Sequence, residues 1–274
     1  MKLLNETLTQ NGQTATLQIL LWENSPEFQT DRKRPAIVVV SGGGYKMVSD
    51  QEADPIANAF TAFGYHTAVL RYSVGEGLYP TQLQQLAAAV ALLRGHAEEW
   101  CIDPEKIVVM GFSAGGHLAA SLAVNWHRPW LCEAVGVSAE AMRPDLLVLG
   151  YAVLIAGEHS HGKSFRHLLG EGCEARLDEV SLEKLVTEQT PPTFLWTTAE
   201  DTTVPMENSL FFALALRQHG VPVELHCYEK GKHSLALANE ITKYNEKMVN
   251  YRSVSLWVEQ CDLWLRQRWE GLTE

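Results

Sequence analysis

The chain is 274 residues long, 46% hydrophobic and 20% charged, with a formal net charge of -11. That composition suits a globular chain with a sizeable core, and an acidic excess of this size repels phosphate backbones and anionic bilayers, so nucleic acid and membrane partners are set aside. Five scattered cysteines (Cys101, Cys132, Cys173, Cys227, Cys261) form no Cys-x-x-Cys pair, which argues against a zinc ribbon, a dithiol redox centre or a disulfide framework.

No apolar segment approaches the roughly 18 residues of a membrane span. Residues 1–20 lack the apolar run and small-residue cleavage site of a signal peptide, so a reducing cytoplasm is the expected compartment. No linker, repeat or low-complexity tract divides the chain, and residues 1–274 are expected to form one domain.

In chain order, two alternating stretches around residues 4–9 and 14–21 flank Asn11-Gly12, a strong hairpin signal. The next strands differ in kind. AIVVV (36–40), HTAVLRY (66–72), KIVVMGF (106–112), DLLVLGY (145–151), PTFLWTTA (192–199) and VPVELHCYE (221–229) are nearly continuous apolar runs, as expected of parallel strands covered on both faces. Between residues 80 and 100, Leu83, Leu86, Ala87, Val90, Leu93 and Ala97 recur at helical spacing, with Pro80 placed to start the helix. Residues 205–219 start at Pro205 and stop before Gly220, as a helix does. From Ser253 on, Val254, Trp257, Val258, Cys261, Trp264 and Leu265 mark an amphipathic closing helix. Its tryptophans, with Trp269, suit core packing or a homodimer contact, core packing being the default. Alternating strand and helix predicts an α/β fold with a mostly parallel sheet, an N-terminal antiparallel hairpin and helices on both faces. The polar stretch 157–191 is too short for a second domain or a large cap and is placed to shape a rim.

The stretch IVVMGFSAGGHLAASLA (107–123) puts Ser113 between a buried strand and a helix of small residues. Glycines two before and two after it, in a Gly-x-Ser-x-Gly pattern, permit a bend too sharp for bulkier neighbours, and that bend aims the amide of Ala114 at a forming oxyanion. The alternative is a purely structural turn. A serine hydroxyl needs a base and an acid, expected in the order serine, acid, histidine. Asp201 follows TFLWTTA, and His233 follows VELHCYE, both on the sheet edge of Ser113. Glu200 is the rival acid, and Asp145 starts a strand at the opposite edge. Of ten histidines, His117 lies one turn along the helix after Ser113 and is assigned packing or capping. Three glycines in VVVSGGGYKMVSDQE (38–52) allow Gly43 and Gly44 to present amides as the rest of an oxyanion hole. A phosphate loop would need a Lys-Ser/Thr pair, which is missing. Ser49 and Glu52 have capping-box spacing and are read as a helix start, although Pro55 moves that start toward Asp54.

GGGYKMVSDQEADPIANAF, GYHTAVLRYSV, DPEKIVVMGFSAGGHLAASLA, PPTFLWTTAEDTTVPMENSL and GVPVELHCYEKGKHSLALA together resemble the α/β-hydrolase superfamily over residues 35–240, closest to its acetyl-esterase-like branch, related to the hormone-sensitive-lipase type. The resemblance implies an α/β-hydrolase fold and hydrolysis of small ester bonds, often sugar acetyl groups, without metal or organic cofactor. It places the nucleophile on Ser113, the acid on Asp201, the base on His233 and the oxyanion glycines on Gly43 and Gly44. Ser41 stands where lipase-like relatives have histidine, and Lys232 and Ser234 flank His233 where relatives often carry small residues; both departures bear on substrate identity. Tyr45, Tyr72 and Tyr79, on loops near the site, are candidates to stack on a sugar or else pack their loops. An amidase or peptidase of the same fold and a non-catalytic binding module remain as alternatives.

Overall fold

The computed structural model describes residues 1–243 and 250–270. Strands β1 (Lys2–Gln10) and β2 (Gln13–Leu21) form the expected hairpin, closed by Asn11 and Gly12 at φ +50° and +73°. Two successive left-handed residues give the turn a twist that matches the strands, which is why Asn-Gly serves there. β2 runs antiparallel to β4 (His66–Arg71), and from β4 the sheet is parallel through β3 (Arg34–Val40), β5 (Ile102–Phe112), β6 (Leu146–Gly150), β7 (Thr193–Thr198) and β8 (Val223–Tyr228).

The runs on β3 and β5 sort their side chains with period two. Ile37, Val39, Val108, Met110 and Phe112 join one core with Ile56 and Phe60 of α1 (Asp54–Ala62) and Trp257, Cys261 and Trp264 of α9 (Trp257–Glu270). Val38, Val40, Ile107 and Val109 join the other. That second core is filled by α2 (Thr81–Gly95), α3 (Ser113–Asn125) and α7 (Glu207–Gln218). Both faces are therefore covered, the condition under which a strand carries no polar side. Trp257 and Trp264 are buried and Trp269 is half-buried, so the closing helix packs inward as the default reading had it.

Two features differ from expectation. The helix from residue 80 ends at Gly95, five residues early, because His96 to Trp100 turn, with His96 and Trp100 stacked at 4.3 Å, before Cys101 at φ +54° leads into β5. β8 is an edge strand with half-exposed side chains, Glu224 and His226 among them, where a strand covered on both faces was expected. The rim stretch holds short helical pieces as expected, α6 (Gly162–Leu169) and two 3-10 turns, and the remaining short helices α4 (Pro129–Val135), α5 (Ala139–Met142) and α8 (Arg252–Ser255) lie outside it.

Two buried histidines lock elements together as neutral rings. His66 Nδ1 accepts from the Trp22 amide at 3.0 Å and its Nε2 donates to Cys101 O at 3.1 Å, and burial lowers its pKa to about 4. His117 Nδ1 accepts from the Tyr45 hydroxyl at 2.7 Å and its Nε2 donates to Val180 O at 3.0 Å, with burial again lowering its pKa to about 4. Protonation would turn an occupied acceptor into a donor facing a donor. The unfolded chain takes these protons near pH 6.5, the folded chain only near pH 4, so each ring holds its full stabilising contribution above about pH 6.5 and loses it as pH falls toward 4. Urea midpoints should drop between pH 7 and pH 4.5, with the ring resonances of His66 and His117 still neutral at pH 5.5. Either ring charging at pH 6.5 in the folded protein would contradict this account.

Candidate active site

The carboxyl ends of β3 and β5 flank the point where the strand order reverses, since the chain leaves β3 outward to β4 and returns across it to β5. A parallel sheet opens a crevice there. Ser113 occupies it at φ +53°, a strained conformation for a non-glycine residue. The flanking glycines make the bend possible: a Cβ on Gly111 would meet Gly115 O at 2.3 Å, and one on Gly115 would meet Val40 O at 2.2 Å. Strand and helix approach too closely there for any side chain.

Ser113 Oγ lies 2.8 Å from His233 Nε2, and His233 Nδ1 lies 2.6 Å from Asp201 Oδ2. The other carboxylate oxygen, Oδ1, accepts from the amides of Thr203 and Val204, both at 2.9 Å. Those two bonds fix the carboxylate, so Nδ1 carries the ring proton and Nε2 is left to accept from the serine. The Asp201 side chain has 0% exposure and that of His233 16%, so the carboxylate is shielded from solvent while the imidazole stays open to the cavity. The rival Glu200 is occupied elsewhere, accepting from the Gly231 amide at 3.1 Å and from Lys230 Nζ at 3.0 Å. Asp145 pairs with Arg94 and Arg143 at the opposite sheet edge.

Across from Ser113, the loop after β3 folds back on itself. The amides of Lys46 and Met47 donate to Gly43 O, the Ser49 amide donates to Gly42 O, and His167 Nδ1 donates to Gly44 O. The carbonyls are thereby held away. Among the described residues, the amides of Gly43 and Gly44 donate to no protein acceptor, and both glycines line the same cavity as Ser113 and His233. Ala114 is the second residue of α3, in the first turn, where amides have no intrahelical acceptor. The cavity is about 250 Å³, and Lys46, His161, Lys163, His167 and Thr203 complete its lining, which includes no carboxylate. Burial, then the nearby His233 and Lys163, lowers the His161 pKa, which favours a neutral ring beside the site.

Two expectations are corrected. The tyrosines do not face the cavity. Tyr45 is 1% exposed with its hydroxyl on His117, and Tyr72 is 2% exposed with its hydroxyl donating to Ser41 O at 2.9 Å. Tyr79 is half-buried, with the Arg176 guanidinium 5.8 Å above its ring. All three pack loops, the alternative reading given them. The capping box is also absent: Ser49 makes no side-chain cap bond, residues Asp50–Glu52 form a 3-10 turn, and α1 begins at Asp54 with Pro55 in its first turn. Glu52 instead points into the protein with 0% exposure. The rim stretch is present, but its site-facing residues, His161, Lys163 and His167, carried no sequence signal beyond their place in it. Among the described residues, no cluster of three or more His, Cys, Asp or Glu side chains could hold a metal ion, and no helix is long and apolar enough to cross a membrane.

A strained serine after β5, an acid after β7 and a histidine after β8, on a parallel sheet wrapped by helices, define an α/β-hydrolase. The chain belongs to the BD-FAE family, an esterase family of that fold, whose model matches residues 25–216. It is 37% identical over 220 residues to endo-1,4-beta-xylanase B of Butyrivibrio fibrisolvens, covering 77% of this chain and 34% of that one. It is 28% identical over 221 residues to the acetylxylan esterase of Xylanibacter ruminicola, covering 78% and 43%. The chain thus spans less than half the length of these two curated relatives. Among solved structures it is similar to the carboxylesterase Cest-2923 from Lactobacillus plantarum, with a TM-score of 0.88, 30% identity and 98% of each chain covered. It is also similar to an acetyl ester-xyloside bifunctional hydrolase from Caldicellulosiruptor lactoaceticus, with a TM-score of 0.78, 35% identity and 94% and 89% covered.

Proposed function

We propose that the chain is a serine carboxylesterase that removes short acyl groups, acetyl foremost, from sugars or small alcohols. The observation that carries the reading is the unbroken line from Ser113 Oγ to His233 Nε2 at 2.8 Å and from His233 Nδ1 to Asp201 at 2.6 Å. Neutral His233 accepts the serine proton at Nε2 as Oγ attacks the ester carbonyl, and Asp201 stabilises the imidazolium. The amides of Gly43, Gly44 and Ala114 receive the oxyanion, each donor lowering the barrier by roughly 3 kcal/mol. His233 then returns the proton to the departing alcohol, leaving an acyl-serine. Water enters and gives a proton to the same nitrogen as its oxygen adds to the acyl carbon; His233 then passes that proton to Ser113 Oγ as the acyl–Oγ bond breaks and the acid leaves.

The small acyl group is argued from the size of the cavity beside Ser113, about 250 Å³, and from its lining, which includes no aliphatic or phenyl side chain that would extend a bed for a long acyl chain. The sugar alcohol rests on the relatives, among them an acetylxylan esterase and an acetyl ester-xyloside hydrolase. Tyr45, Tyr72 and Tyr79 lie outside the cavity lining and offer it no stacking platform. On p-nitrophenyl esters, kcat/KM should fall from acetate to octanoate by roughly 10- to 100-fold, the scale on which pockets discriminate by methylenes. A rate that rises with chain length would contradict the short-acyl reading. Cleavage of 4-nitroacetanilide as fast as the acetate ester would point to an amidase instead.

A further inference from the structure

Among the described residues only two carboxylates are buried, Asp201 and Glu52. The mechanism uses the first and leaves the second without a task. Glu52 Oε2 accepts from the Gly42 amide at 2.7 Å, while Oε1 accepts from the Tyr151 hydroxyl at 2.8 Å and the Ser234 hydroxyl at 2.9 Å. Tyr151 Oη itself accepts from the Ala236 amide at 3.0 Å, so its own proton points at Glu52. Three donors therefore converge on an acceptor-only group, the arrangement a carboxylate takes. No cation pairs with Glu52 among the described residues. A buried carboxylate in that position costs stability that an apolar side chain would not, so packing alone does not account for it.

The three donors sit at informative places. Gly42 immediately precedes the glycines whose amides receive the oxyanion, and Ser234 immediately follows the base. A Cβ on Gly42 would lie 2.7 Å from Glu52 Oε2 and 2.8 Å from Ser113 Cβ, so carboxylate, loop and nucleophile are in direct succession. Ser234 and Ala236 stand at φ +65° and +49°, left-handed conformations that non-glycine residues keep only when neighbours over-determine them. Each is pinned by this group, Ser234 by Glu52 directly and Ala236 through Tyr151. The Tyr151 ring also abuts His233, edge to face, with centroids 5.1 Å apart.

We infer that Glu52 is a positioning residue that holds the oxyanion loop and the His233 loop in register across Ser113; the inference rests on the esterase reading above. Glu52→Gln keeps the size but turns an N–H toward one of the donors. Tyr151→Phe and Ser234→Ala each remove one strut and leave the carboxylate. The variants and the wild type are compared on p-nitrophenyl acetate, with active sites counted by the burst of p-nitrophenol released by diethyl p-nitrophenyl phosphate. Glu52→Gln is expected to lower kcat per counted site about 100-fold, the penalty for misplacing catalytic groups by about an ångström, with KM within about threefold. Smaller losses in kcat, again with little change in KM, are expected for the two strut variants. A merely structural role would lower the melting temperature and the fraction of competent sites but leave kcat per site unchanged. Wild-type kcat per site in Glu52→Gln and Tyr151→Phe would overturn the inference while sparing the esterase reading. Should Glu52→Gln fail to fold, Tyr151→Phe and Ser234→Ala decide alone. A folded wild type inert on every ester would end the esterase reading and this inference with it.

Discussion

Ser113→Ala is expected to lower kcat for p-nitrophenyl acetate by about 10⁵- to 10⁶-fold, the scale on which loss of a triad serine acts. The variant should fold normally. Alanine meets the same backbone strain at φ +53° as serine does, and the only bond lost is the one from Oγ to His233. What remains is an oxyanion loop and a base without a nucleophile, so removing His233 as well should cost little more, because the members act as a unit. Esterase turnover that survives in the alanine variant would mean that another group attacks the carbonyl.

Asp201→Asn is expected to lower kcat by about 10⁴-fold without disturbing the fold, as removing the charge while keeping the shape does in such triads. The reason is visible in the surroundings of residue 201. Oδ1 is held by two amide donors, from Thr203 and Val204, so a carboxamide would put its oxygen there and its NH₂ toward His233. Nδ1 would then have to accept, which moves the ring proton to Nε2, facing the serine. That tautomer cannot take the serine proton. The check is kcat for the acetate ester together with urea unfolding; a loss under tenfold would show that Asp201 does not set the tautomer.

The fold and the sharp turn at Ser113 were legible because their causes are local. Gly111 and Gly115 are needed within a few residues of Ser113, and the apolar runs report burial on both faces wherever they occur. The places of Asp201 and His233, after the strands that carry them to the same sheet edge, followed once the strands were placed. Glu52 was misread because its spacing from Ser49 fits a helix cap, whereas its partners, Tyr151 and Ser234, lie 99 and 182 residues away in sequence. Tyr45 and Tyr72 were set near the cavity by their neighbours in sequence. Their hydroxyls turn inward because His117 and Ser41 O supply partners there, a fact of packing that no pattern carries. The exposure of β8 follows from its place at the sheet edge, and Glu224 and His226 within it are polar residues that such a place accommodates.

The most direct measurement of the central claim is reaction with diethyl p-nitrophenyl phosphate, followed by mass spectrometry of the digested protein. The account predicts one diethylphosphoryl group per chain, on Ser113, appearing in step with the loss of hydrolysis of p-nitrophenyl acetate. Full inactivation with Ser113 unmodified, or Ser113 fully modified with activity retained, would contradict it.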